Sequence, residues 1–132
     1  NQCFTFPVRV YYEDTDAGGV VYHARYLHFF ERARTEYLRT LNFSQQSVLQ
    51  EQQLAFVVKT MSIDYCIPAK LDDYLIVETE ITAVKGATIL FEQRLIREAV
   101  VLSKATVKVA CVDLGKMKPV AIPEELKAAF LK

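Results

Sequence analysis

From Arg25 to Leu41 the apolar side chains Tyr26, Phe30, Ala33, Tyr37, Leu38 and Leu41 recur at steps of three and four, with Glu31, Arg32, Glu36 and Arg39 mostly between them. That period predicts one long amphipathic helix with a single stripe to bury. Most of the remaining chain reads as strands. Phe4, Phe6, Val8 and Val10 alternate with Thr5, Pro7 and Arg9, and Pro7 makes this an edge or irregular strand. Ala55 to Ile67, Tyr74 to Val84, Thr88 to Ala99 and Val101 to Asp113 are rich in β-branched and aromatic residues and predict four further strands. Asn42 to Leu54 reads as a loop that can include a further helical turn, and Pro123 with Glu124 and Glu125 opens a last short helix.

The order strand, long helix, four strands is that of an α+β domain with an antiparallel sheet. Its length of 132 residues, 52% of them apolar, fits one domain over 1–132. One helix covers one sheet face, yet apolar residues at Val57-Val58, Ile63, Tyr65, Ile67, Ile76-Val77, Ile89-Leu90-Phe91 and 107–112 are expected on both. Association through strand edges or sheet faces follows from that expectation.

Sixteen basic and sixteen acidic residues cancel, so no global field recruits nucleic acid or an anionic membrane. The three cysteines, Cys3, Cys66 and Cys111, are far apart and in no C-x-x-C arrangement, against a disulfide frame or a zinc knuckle. No apolar run approaches the roughly 20 residues that span a bilayer, and the first residues lack a signal-peptide pattern. A cytoplasmic protein without stable membrane insertion is expected. The missing initiator Met suggests that a short leader is omitted from the numbering.

The chemistry concentrates in Tyr11-Tyr12-Glu13-Asp14-Thr15-Asp16-Ala17-Gly18-Gly19-Val20-Val21-Tyr22-His23, between the first strand and the helix. Three acids precede two glycines that let the backbone turn sharply and approach a ligand. The helix start offers N–H groups without intrahelical partners, which stabilise an oxygen gaining negative charge. A carboxylate beside an oxyanion site suits thioester hydrolysis, which proceeds without a cofactor. The competing readings are solvated or capping acids, a packed or capping His23, and a metal held by Glu13, Asp14, Asp16 and His23. Capping fits Asp16 poorly, since it precedes Arg25 by nine positions with a glycine turn between. His28, beside Phe29 and Phe30, reads as structural. There is no Gly-x-Ser-x-Gly elbow and no phosphate loop.

At Val10 to His23, then Tyr26, Glu31 and Arg34, the chain resembles the hot-dog-fold thioesterases of the 4-hydroxybenzoyl-CoA thioesterase family. The likeness extends to Ala55-Phe56-Val57-Val58, 68–73 and Lys116-Met117-Lys118-Pro119, nearest the bacterial Tol-Pal-associated branch. The resemblance implies a five-stranded antiparallel sheet wrapped around the long helix, and a homodimer or homotetramer with active sites at the interface. It implies catalysis by Asp16, with the backbone N–H of His23 polarising the thioester carbonyl. Tyr12, Gly18, Gly19 and Tyr22 are candidate substrate contacts. By the same resemblance, the hairpin of Lys85 and Gly86 meets the nucleotide end of CoA, although Lys85 also reads as a solvated turn lysine. The implied substrate is an aliphatic acyl-CoA, with acyl carrier protein as another carrier and no metal or cofactor. A noncatalytic scaffold of an envelope or lipid system and a hot-dog hydroxyacyl-thioester dehydratase are the alternative functions.

Overall fold

The computed structural model describes residues 3–40, 54–122, 124, 127 and 128. Strand β1, Phe4–Arg9, leads through the 10–24 loop into helix α1, Arg25–Thr40. Then come β2, Leu54–Tyr65, β3, Tyr74–Lys85, β4, Thr88–Arg97, β5, Val100–Asp113, and β6, Lys118–Pro119. The sheet is antiparallel in the order β1-β3-β4-β5-β2, with β6 paired to β5. This corrects the expected strand count: a sixth, two-residue strand joins the five, at Val112 and Asp113 of β5. Leu41, the predicted helical turn in 42–53, and Pro123 and Glu125 of the predicted last helix lie outside the described residues.

The helix buries Tyr26, Phe29, Phe30, Ala33, Tyr37 and Leu38 against Leu75, Val77, Ile81, Ile89, Phe91 and Leu95 of the inner sheet face. Period and packing agree there. Arg34 breaks the pattern, being 8% exposed on the buried stripe. His28 does not pack as expected: it is exposed, with Nδ1 3.3 Å from Arg25.

The outer face is mixed: Ile76, Leu90, Ile96 and Val57 put apolar side chains there, as expected, but charged residues share it. Opposite Glu78 and Glu80 on β3 stand Arg94 and Glu92 on β4, then Lys104 and Thr106 on β5. Arg94 bonds Glu78 at 2.8 Å and Glu80 at 3.1 Å, and these pairs raise its already high pKa further. A run such as Val107–Val112 is apolar only in part, since Lys108 projects outward while Val107 and Val109 are buried. Among the described residues both end strands keep an unpaired outer edge, β1, which meets only β3, and β2, which meets only β5. No helix there is long and apolar enough to cross a membrane.

Candidate active site

Val10 anchors the loop. It is fully buried, donates its N–H to Asp73 O at 3.0 Å and accepts from Asp72 N at 3.1 Å. A single 3-10 turn, Tyr12–Asp14, follows. Asp14 is 4% exposed; its Oδ2 accepts the Tyr11 N–H at 3.0 Å, and its carbonyl accepts that of Tyr22 at 2.9 Å. Arg25 Nε lies 3.8 Å from Asp14 Oδ1. Asp14 is thus a folding residue that ties the loop's entry to its exit.

Beyond Asp14 the chain makes a small hairpin. Thr15 pairs with Val21, and Val20 pairs with Lys70. Asp16 donates its N–H to Val20 O at 2.9 Å, leaving Ala17, Gly18 and Gly19 as a three-residue loop. Such loops end in a left-handed residue, and Gly19 has φ +82°. Gly18 serves the carboxylate: its N–H donates to Asp16 Oδ1 at 2.8 Å, and a Cβ there would lie 3.3 Å from that oxygen. Asp16 is exposed, and its Oδ2 has no hydrogen bond among the described residues. The two acids two positions apart therefore differ completely, one buried and paired, the other held by one oxygen with the second open.

His23 stands at the entry to α1. Its carbonyl accepts the Tyr26 N–H at 3.3 Å and the Tyr65 hydroxyl at 3.1 Å, while its ring lies 4.6 Å from that of Tyr22 and 6.3 Å, edge-on, from that of Tyr65. Its own N–H has no acceptor among the described residues. Asp16 faces Val20, and His23 is three residues further along the returning arm, an offset of about 10 Å at most. No hydrogen bond joins them among the described residues. Tyr12 is 82% exposed and Tyr22 50%; their backbones bond within the loop, while neither hydroxyl has a hydrogen bond among the described residues. Glu13, Asp14, Asp16 and His23 do not gather, and no group of three or more metal-ligating side chains does among the described residues.

Sequence reasoning passed over Tyr65. It lies at the far end of β2, so only the tertiary fold brings its hydroxyl to His23, and its ring 5.0 Å from Tyr26. Tyr26 in turn accepts the Ala69 N–H at 3.0 Å, and burial raises its pKa. Lys85 is elsewhere: β3 leaves the Asp16 end of the sheet at Tyr74 and reaches Lys85 eleven residues later, roughly 35 Å away. There Lys85 and Lys108 flank Ala83, Thr88 and Leu90 around a concavity of about 320 Å³. Lys108, two strands over, carried no signal in sequence.

Residues 10–130 match the model of the thioesterase-like superfamily. The chain is 83% identical over 127 residues to the acyl-CoA thioesterase YbgC of Haemophilus influenzae, covering 96% of this chain and 93% of that one. It is 55% identical over 128 residues to the acyl-CoA thioester hydrolase YbgC of Escherichia coli O157:H7, covering 96% and 95%. A probable thioesterase from Bartonella henselae superimposes with a TM-score of 0.86 at 39% identity, over 92% of this chain and 100% of that one. A 1,4-dihydroxy-2-naphthoyl-CoA thioesterase from Synechocystis gives 0.90 at 26% identity, over 99% and 97%. On these grounds the chain belongs to the thioesterase-like superfamily and is a thioesterase.

Proposed function

We propose that the protein hydrolyses acyl-CoA to the free acid and CoA, favouring short aliphatic acyl groups, with Asp16 acting on the thioester and the His23 N–H receiving the oxyanion. The observation that carries this reading is the hairpin at 15–21, which holds one Asp16 oxygen through Gly18 and leaves the other open beside a free N–H at a helix entry. As a general base, Asp16 takes a proton from water while the water oxygen bonds to the carbonyl carbon. The C–S bond then breaks, and the departing CoA thiolate takes up that proton. As a nucleophile, Asp16 itself bonds to the carbon and expels the thiolate, and water opens the resulting anhydride. A thioester on acyl carrier protein presents the same carbonyl. Thiol release from acyl-CoA and acyl carrier protein substrates of graded length tests the reading, and no release from any of them would overturn it.

The working unit is a homodimer, or a homotetramer built from it. Lys85 and Asp16 of one chain are too far apart to hold one CoA, whereas antiparallel pairing of two β2 edges brings the Lys85 end of one protomer to the Asp16 end of the other. Lys85→Glu then raises KM for acyl-CoA at low salt with little change in kcat, since a phosphate contact remote from the carbonyl acts mainly on ground-state binding. Added salt narrows the difference. An unchanged KM at low ionic strength would remove Lys85 from the site.

His23→Ala keeps the backbone donor and the carbonyl that Tyr65 holds. It is expected to retain a substantial part of kcat. A fall as deep as that of an Asp16 variant would assign the chemistry to the imidazole instead.

A further inference from the structure

Between α1 and the free edge of β2 lies a cavity of about 220 Å³ with an apolar side made by Leu38, Phe56, Phe91 and Val109 and a polar side made by Arg34 and Glu31. Arg34 is 8% exposed, and no carboxylate pairs with it among the described residues. Its Nη1 donates to Gln93 Oε1 at 2.9 Å. Gln93 is locked in that orientation, because its Nε2 donates to Phe30 O and Thr79 Oγ1, both at 2.9 Å. Burial lowers the Arg34 pKa, while the field of Glu31 opposes the shift. A charged guanidinium is therefore fixed by the core on the polar side of the cavity, with Glu31 and Thr35, and faces the apolar side made by Leu38, Phe56, Phe91 and Val109. The mechanism above makes no use of it.

We propose that this cavity receives the tail of the acyl group and that Arg34 is the residue that limits its length. The inference rests on the dimeric reading above. In an antiparallel pair centred on the middle of β2, Phe56 of one chain faces Ile63 of the other, so the cavity mouth lies beside the strand end that carries the partner's Tyr65 and, through it, the partner's His23. Each methylene that enters the apolar part gains by leaving water, about fourfold in kcat/KM for one fully buried. A methylene pushed against the guanidinium instead strips hydration from a charge that no carboxylate pairs with directly among the described residues, Glu31 acting on it only through its field. Reactivity thus climbs with chain length until the tail meets Arg34 and then falls.

The test is the kcat/KM profile across straight-chain acyl-CoAs from acetyl to palmitoyl for the wild type, Arg34→Met and Val58→Trp. Val58 is 52% exposed and lines the cavity, so Val58→Trp narrows it without touching the buried network. Arg34→Met is expected to move the optimum to longer chains and Val58→Trp to shorter ones, with inhibition by free CoA unchanged in both. Should Arg34→Met fail to fold, Val58→Trp decides alone; an optimum at the wild-type length in every folded variant overturns the proposal. A wild type inactive on every acyl-CoA would instead overturn the proposed function. Mixing Asp16→Asn chains with Val58→Trp chains separates the geometries. If the cavity serves the partner, the heterodimer joins an intact Asp16 to an intact cavity and shows the wild-type profile. If it serves its own chain, the mixture keeps the Val58→Trp profile and the arrangement proposed here is wrong.

Discussion

Asp16→Asn is expected to leave the fold and the dimer intact and to lower kcat about 10²- to 10⁴-fold, the range for loss of a general base, or roughly 3 to 5 kcal/mol of transition-state stabilisation. Loss of an obligatory nucleophile costs more. The fold survives because Asp16 is exposed and the amide oxygen of Asn can still accept the Gly18 N–H that now bonds Oδ1. Asn, however, neither takes a proton from water at neutral pH nor attacks a thioester. Asp14→Asn is the internal comparison. Asp14 is buried, bonded to the Tyr11 N–H and near Arg25, so its neutral analogue should lower Tm while activity per folded molecule falls less. If well-folded Asp16→Asn kept more than about a tenth of wild-type kcat, far above the general-base expectation, Asp16 would be neither the base nor the nucleophile.

The contrast between these two acids marks where sequence reading stops. Helix α1 and the strands were legible because their periods are local: Tyr26, Phe30, Ala33, Tyr37 and Leu38 announce one buried stripe whatever covers it. The 10–23 loop was legible as a candidate site through its composition, acids before paired glycines before a helix start. Composition does not say which acid is buried, because the contacts that fix Asp14 come from Tyr11, Tyr22 and Arg25 and depend on how the hairpin closes. Gly18 shows the same limit. It reads as a flexible position, but its function in the fold is to give Asp16 a donor and to leave the carboxylate uncrowded.

Long-range order was less legible still. Nothing local tells that β2, first after the helix, ends at the sheet's edge beside β5, or that Arg34 replaces an apolar residue on the buried stripe because Gln93, 59 positions away, accepts from it. The both-faces expectation held only in part for a related reason. Ile89-Leu90-Phe91 is two-sided, with Leu90 outward, but across the sheet Leu90 faces Lys108, which no local pattern announces.

Met61→Pro is expected to dissociate the dimer and abolish turnover at low protein concentration while the monomer stays folded. The choice follows from hydrogen-bond directions. Cys111 on β5 donates its N–H to Ala87 O at 2.7 Å, and its carbonyl accepts the Val120 N–H at 2.9 Å, so both groups point away from β2. Phe56 faces Cys111 in the antiparallel register, and in such a pair the partner's groups also point away, here toward the free edge. Alternation repeats this at Val58 and, beyond the bulge that skips Lys59, at Met61, Ile63 and Tyr65. A proline at Met61 therefore removes a donor from the outer edge and none from the ladder with β5, at the sheet position where proline is tolerated. Ser62→Pro removes a β5 ladder bond instead and should lower Tm much more. On the composite unit proposed above, specific activity of Met61→Pro should rise with protein concentration as dimers re-form by mass action. An intact Met61→Pro dimer in sedimentation would place the interface away from β2, and a monomer as active per chain as the wild type would show that the site is not shared; either would end the pairing of Asp16 with its partner's Lys85.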